Sequence, residues 1–199
     1  NDVKFLGGHG TFIPGGPRHS PYNRDHTGDS NPDRKWNSCG ANLWVTDNGG
    51  GTFANIWTAS TFAAAGMLIE NTTTPGRIYE LSSEHHVHNE IILRGVANWN
   101  IYAQQTEEEW GESPACLPLS IENCRNLTFA NTILFRVFAM AAPFPTGISI
   151  SNSKDLRFFG VRTYGQSPFN FDRSIVDISS RFAVPDREVA LVRITGNGA

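Results

Sequence analysis

Charge is scarce in this sequence of 199 residues: only 18% are Asp, Glu, Lys or Arg, and the net charge is −3. With so little basic character, no nucleic-acid partner is expected. No apolar run approaches the roughly 18 residues of a membrane span, so no membrane partner is expected either. Cysteine is rare as well. Cys39, Cys116 and Cys124 form an odd set without CxxC spacing, which argues against structural zinc. They leave two arrangements open, one disulfide with a free thiol or three thiols. Also missing are stretches of Ala, Leu, Glu and Lys at helical spacing. In their place stand 19 Gly, 11 Pro and many Asn, Ser and Thr, an all-β composition rich in turns.

The chain opens at Asn1 on strand-like residues and closes on others ("LVRITGNGA"). It reads as one domain, 1–199, from a processed or excised piece whose two ends cut through repeating units. A long aperiodic stretch at about 15–40 is expected as a loop, one that either folds over a binding groove or makes a free excursion.

Between these ends a repeat recurs. "SIENCRNLTFAN" (120–131) and "SISNSKDLRFFG" (149–160) align residue for residue: Ile121 with Ile150, Asn123 with Asn152, Leu127 with Leu156, Phe129 with Phe158. "ILRGVANWNIYA" (92–103) and "WVTDNGGGTFAN" (44–55) share the template, and "LIENTTTPGRIYE" (68–80) fits with one inserted residue. Each is an apolar alternation, a polar corner and a second apolar alternation, so each is strand, corner, strand. The copies start at Val45, Ile69, Leu93, Ile121 and Ile150, with "VRITGNG" (192–198) as the first half of another at Ile194. A period in the twenties with all-β content predicts a β-solenoid, with insertions at about 103–118 and 164–188. Asn123 and Asn152 are either a stacked amide ladder or ordinary turn residues.

The pattern I-x-I-x-N-S-x-D/N-L-x-F resembles the coils of right-handed parallel β-helix proteins of the pectate-lyase and polygalacturonase superfamily. The resemblance covers about residues 43–199. It implies a secreted or periplasmic carbohydrate-active protein, with a glycan as substrate and the remainder of a longer β-helix as partner. No cofactor is expected. Gly8-His9-Gly10 is similar to the triplet of polygalacturonases, but no Asp-Asp pair occurs and Arg193-Ile194-Thr195 lacks the lysine of their Arg-x-Lys motif. That family's catalytic set is therefore not carried over.

Two polar stretches carry the candidate chemistry. "EHHVHNE" (84–90) joins two coils, with Val87 as core anchor; if extended, Glu84, His86, His88 and Glu90 share one side. Metal binding, acid/base chemistry and a structural polar ladder all fit those residues, and no distant ligand points to a metal. "QQTEEEWGESP" (104–114) sets Glu107, Glu108, Glu109 and Glu112 around Trp110, either as a solvated acidic loop or as a carboxylate source beside a sugar-stacking indole. The repeat places residues after Ile78 and after Ile101 at equivalent positions. Tyr79 is thus expected to stack on Tyr102, and Glu84 to lie near Glu107. Glycoside hydrolysis needs two carboxyls about 5–5.5 Å apart for retention or about 6.5–9.5 Å for inversion. The expected catalytic candidates are Glu84, Glu107, Glu109 and Glu90. His85, His86, His88, Trp110, Tyr79, Glu112 and Arg94 are expected to bind substrate, and no metal ligand is assigned. Two other readings remain: a lyase acting on uronate-containing glycans through Arg94 or Arg136, and a non-catalytic glycan-binding or structural β-helix.

Overall fold

The computed structural model describes residues 2–6, 37, 39–110, 112–137 and 140–196. The Gly8-His9-Gly10 triplet and nearly all of the expected 15–40 loop lie outside the described residues.

Among the described residues, thirteen strands form the architecture. β1 (Val3–Leu6), β3 (Gly51–Ala59), β5 (Gly76–Glu84), β6 (Asn89–Glu109), β8 (Arg125–Val137) and β10 (Lys154–Gly165) pair in parallel, each with the next. β2 (Ala41–Val45), β4 (Ala65–Thr72), the first part of β6, β7 (Leu117–Glu122), β9 (Phe144–Ser151) and β11 (Phe171–Asp177) do likewise. Consecutive strands of the chain alternate between these two stacks, so the chain winds as a parallel β-solenoid of five full coils. Each coil shields one edge of its neighbour's apolar strands, and none could bury them alone.

The register reproduces the repeat. Val45, Ile69, Leu93, Ile121 and Ile150 are successive Cα partners in one column. Phe53, Ile78, Ile101, Phe129 and Phe158 form a second column. Most of these side chains are fully buried, and Phe129 stacks on Phe158 with centroids 4.8 Å apart. The core is therefore a set of stacked like residues, running the length of the solenoid.

Left-handed backbone makes the corners. Asp47, Asn71, Gly95, Asn123 and Asn152, equivalent positions in five coils, all have positive φ. So do Asn55, Glu80, Ala103, Asn131 and Gly160, which bend the strands of the first stack midway and divide each coil into three faces. Asn, Asp and Gly supply most of these positions because they enter this region at least cost. Asn123 and Asn152 share that backbone role. The bonded amide ladder occurs elsewhere, where Asn126 Nδ2 donates to Asn98 Oδ1 at 2.8 Å.

Other expectations need correction. Ile194 does not begin a further coil: β13 (Glu188–Ile194) runs antiparallel to β10, with Ile194 opposite Leu156. β12 (Phe182–Val184) likewise folds back on β11. The position following Ile150 in the column is Asp177. Residues 164–188 thus supply β11 and β12, and residues 103–109 continue β6 as paired strand. All three cysteines are free thiols, with Cys39 exposed and the other two buried.

Close packing makes one glycine decisive. A Cβ on Gly76 would lie 2.2 Å from the indole of the fully buried Trp99. Gly76→Ala is expected to lower stability by about 1–3 kcal/mol through overpacking, read by chemical denaturation.

Candidate carboxylate site on the third face

The third face holds the second halves of β3, β5, β6, β8 and β10. Side chains alternate there, so Ser82, Glu84, Gln105, Glu107 and Glu109 point outward while Ser83, Gln104, Thr106 and Glu108 are buried. Glu84 and Glu107 are Cα partners on adjacent coils. Parallel strands lie about 4.8 Å apart, so the two carboxylates stand side by side on one surface. Their row continues through Phe135 and Tyr164 on the next two coils. The neighbouring row runs Lys4, Trp57, Ser82, Gln105, Ile133 and Arg162, with the Lys4 ammonium 5.1 Å from the Trp57 ring centroid.

Glu84 Oε1 accepts from Ser82 Oγ at 2.5 Å and from Gln105 Nε2 at 2.9 Å. Glu107 meets His85, whose Nε2 lies 3.4 Å from Glu107 Oε1 and 3.9 Å from Glu109 Oε2. His85 Nδ1 lies 3.0 Å from Ser60 Oγ and 3.7 Å from Glu112 Oε2. Burial alone would push the imidazole pKa down. The hydrogen bond to Glu107 and the charges of Glu112, Glu109 and Glu107 outweigh it, raising the pKa to about 10. His85 is therefore an imidazolium at neutral pH, ringed by three carboxylates.

This arrangement depends on a backbone turn that the extended reading of "EHHVHNE" missed. His85 has φ 62° and, in register beyond the strands, Ser60 has φ 53°. Alternation breaks there: His85 swings to the carboxylates, His86 turns inside, Val87 is buried and His88 is exposed. Glu90 thus shares no outer surface with Glu84.

Inside, His86 and Glu90 form a buried pair, with Nδ1 to Oε2 at 2.5 Å. Glu90 also accepts from the His86 N–H at 3.0 Å, from Ser83 Oγ at 2.9 Å and from Cys116 Sγ at 3.4 Å. His86 Nε2 lies 3.0 Å from Thr58 Oγ1 and 3.0 Å from Asn42 Nδ2. Burial raises the Glu90 carboxyl pKa, but the charge and hydrogen bonds of His86 prevail and hold it below the usual value. Gly66 admits this cluster: a Cβ there would fall 2.0 Å from Ser83 Oγ and 2.8 Å from His86 Cε1. Burial pushes Glu108 well up, helped by the Glu90 charge and only partly opposed by Arg136. The Cys116 thiol is raised by burial and the same carboxylates, so it serves as a hydrogen-bond donor.

The structure therefore gathers Glu84, Glu107, Glu109, Glu112 and His85. Trp110 lies in the turn directly after Glu109. Tyr79 stacks on Tyr102 at 5.2 Å, as expected, but across the bend on the second face. Arg94 sits on the first face, bridging Glu70 at 3.4 Å and Glu122 at 3.1 Å. Sequence reasoning missed Ser60, Thr58 and Asn42, whose partners lie 16–44 residues away, and Ser83, which bonds Glu90 seven residues on. One signal was available for Thr58, Ser83 and Thr106: polar residues at inward positions of otherwise apolar alternations.

His85, Glu109 and Glu112 each bring one nitrogen or oxygen to within 4.8 Å of the others.

A pH prediction follows from His85. Its folded pKa lies above the unfolded value of 6.5, so its stabilisation is complete below pH 6.5 and is lost as pH rises toward 10. That raised pKa corresponds to stability on the order of 4 kcal/mol at neutral pH. Denaturation midpoints should fall steadily between pH 7 and 10, and His85→Gln should flatten that slope.

No protein-family model matches this chain, and neither the curated proteins nor the solved structures yield a match. Its class rests on its own geometry: a parallel β-solenoid with an anionic cluster on one face.

Proposed function

We propose that this protein is a secreted or periplasmic glycoside hydrolase of the pectate-lyase-like β-helix kind, cleaving a polysaccharide or oligosaccharide on its third face. The observation that carries the reading is the Glu84–Glu107 register, two outward carboxylates on adjacent coils at a spacing suited to flanking one glycosidic bond. Glu107, oriented by the His85 imidazolium, meets the positive charge that develops at the anomeric carbon. Glu84, held on Oε1 by Ser82 and Gln105, is the general acid: it gives a proton to the leaving oxygen as the glycosidic C–O bond breaks, and water then bonds the anomeric carbon and returns a proton to Glu84. Phe135 and Tyr164 extend the row as apolar platforms for sugar rings.

The placement of the arginines favours hydrolysis over lyase chemistry. A uronate needs cations beside its carboxylate, yet among the described residues the centre of this face carries Glu84, Glu107 and Glu109, with His85 held by Glu107 and with Lys4 and Arg162 only at the two ends of the neighbouring row. Arg77 lies on the second face, Arg94 on the first, and Arg136 is buried. The test is release of reducing ends from a panel of neutral and uronate-bearing polysaccharides. New reducing ends from a neutral polymer, without absorbance near 235 nm, support the reading. Unsaturated products from a uronate polymer would replace it with the lyase, and binding without cleavage would replace it with a glycan-binding scaffold.

A further inference from the structure

Arg136 takes no part in the outer cluster, yet it grips the segment that completes it. It is buried at the end of β8, as the Cα partner of Glu108. Its guanidinium lies over the Phe144 and Phe171 rings, 5.2 and 5.6 Å from their centroids, so two later coils fix its plane. From there Nη2 donates to the Pro114 carbonyl at 3.1 Å. Pro114 belongs to the turn between β6 and β7, and that turn is wound tightly. The Ser113 N–H donates to Glu109 O at 3.0 Å, and the Glu109 N–H donates to Ser113 Oγ at 3.0 Å. Glu112, one residue before Ser113, is thereby brought to His85 Nδ1.

We propose that Arg136 is a positioning residue: by holding the Pro114 carbonyl it keeps residues 112–116 in the setting that stands Glu109 and Glu112 around His85. A lysine would retain the charge and one donor, but has no plane to lie across two rings while reaching the carbonyl. Among the described residues, the groups facing His85 are Glu107 and Glu109 from β6, Glu112 from the turn, Ser60 from the adjoining corner and, inside, the Glu90 carboxylate and Glu108, whose carboxyl burial pushes well up. A loosened turn withdraws Glu112 first. The burial that opposes protonation then gains weight, and His85 should release its proton at lower pH. The geometric claim stands without the hydrolase reading; only its consequence for turnover rests on that reading.

The test uses the full chain and follows the His85 imidazole by NMR through a pH titration, with circular dichroism and thermal melting as controls for folding. The variants are Arg136→Met, Arg136→Lys and Ser113→Ala, the last cutting the same turn without disturbing the core. In the unaltered protein His85 should remain protonated to about pH 10. Arg136→Met and Ser113→Ala should each lower its midpoint by about one unit or more, a tenfold weaker hold on the proton, with Arg136→Lys between. A folded Arg136→Met or Ser113→Ala that leaves the midpoint unmoved overturns the proposal and makes Arg136 a packing residue alone. Should Arg136→Met not fold, Ser113→Ala and Arg136→Lys decide. If the protein cleaves a glycan, Ser113→Ala should lower kcat more than it raises KM. A protein that cleaves nothing defeats the hydrolase reading and leaves the titration result standing.

Discussion

Glu107→Gln is expected to cut glycan hydrolysis by about 10²–10⁴-fold while glycan binding persists. The substitution keeps the shape of the side chain and its place in the ladder between Glu84 and Phe135. On the proposed mechanism it removes the negative charge that faces the oxocarbenium-like transition state, an interaction much weaker in the bound ground state. The loss should therefore fall on kcat, with KM little changed. Glu109→Gln tests the assignment from the next outward position on the same strand. On the next coil Glu109 stands opposite Val137, outside the Glu84–Glu107 register, so its loss should reduce activity far less. Initial rates of reducing-end release, with binding measured by calorimetry, separate the two. Equal losses from both variants would move the reaction away from the Glu84–Glu107 pair.

Glu90→Ala is expected to cost about 3–5 kcal/mol of folding stability, among the largest single-residue losses the structure implies. Four donors converge on this carboxylate: His86 Nδ1, the His86 N–H, Ser83 Oγ and Cys116 Sγ. All belong to buried residues, so truncation strands them away from water. Because the folded Glu90 pKa is depressed, its stabilisation is present above the ordinary carboxylate pKa and is lost as pH falls below it. Urea denaturation at pH 7 reads the loss directly. A loss under about 1 kcal/mol would mean that the inner pair offsets no more than its own desolvation.

The fold was legible because a solenoid writes itself into its sequence. Val45, Ile69, Leu93, Ile121 and Ile150 recur since each must fill the same place in a stacked core, and alternation alone reveals them. The same logic foresaw the Tyr79–Tyr102 stack and the Glu84–Glu107 register. It failed at Ile194, where apolar alternation is common to a coil strand and to an antiparallel covering strand. It failed again at "EHHVHNE". One left-handed residue, His85, reverses the sides, so His85 joins the outer carboxylates and His86 turns inward, and histidine, though enriched in that backbone state, adopts it only in a small minority of cases. Arg94 shows a third limit. Its charge suggested a ligand contact, while the ladder spacing joined it to Glu70 and Glu122 on another face.

The central claim is that two carboxylates on adjacent coils act as one unit. A double-mutant cycle of Glu84→Gln and Glu107→Gln, read as kcat/KM on the best neutral glycan, tests it most directly. The account predicts that each single variant loses most of the activity and that the double variant is scarcely slower than the worse single. Losses that multiply in the double variant, or full activity in either single variant, would contradict it.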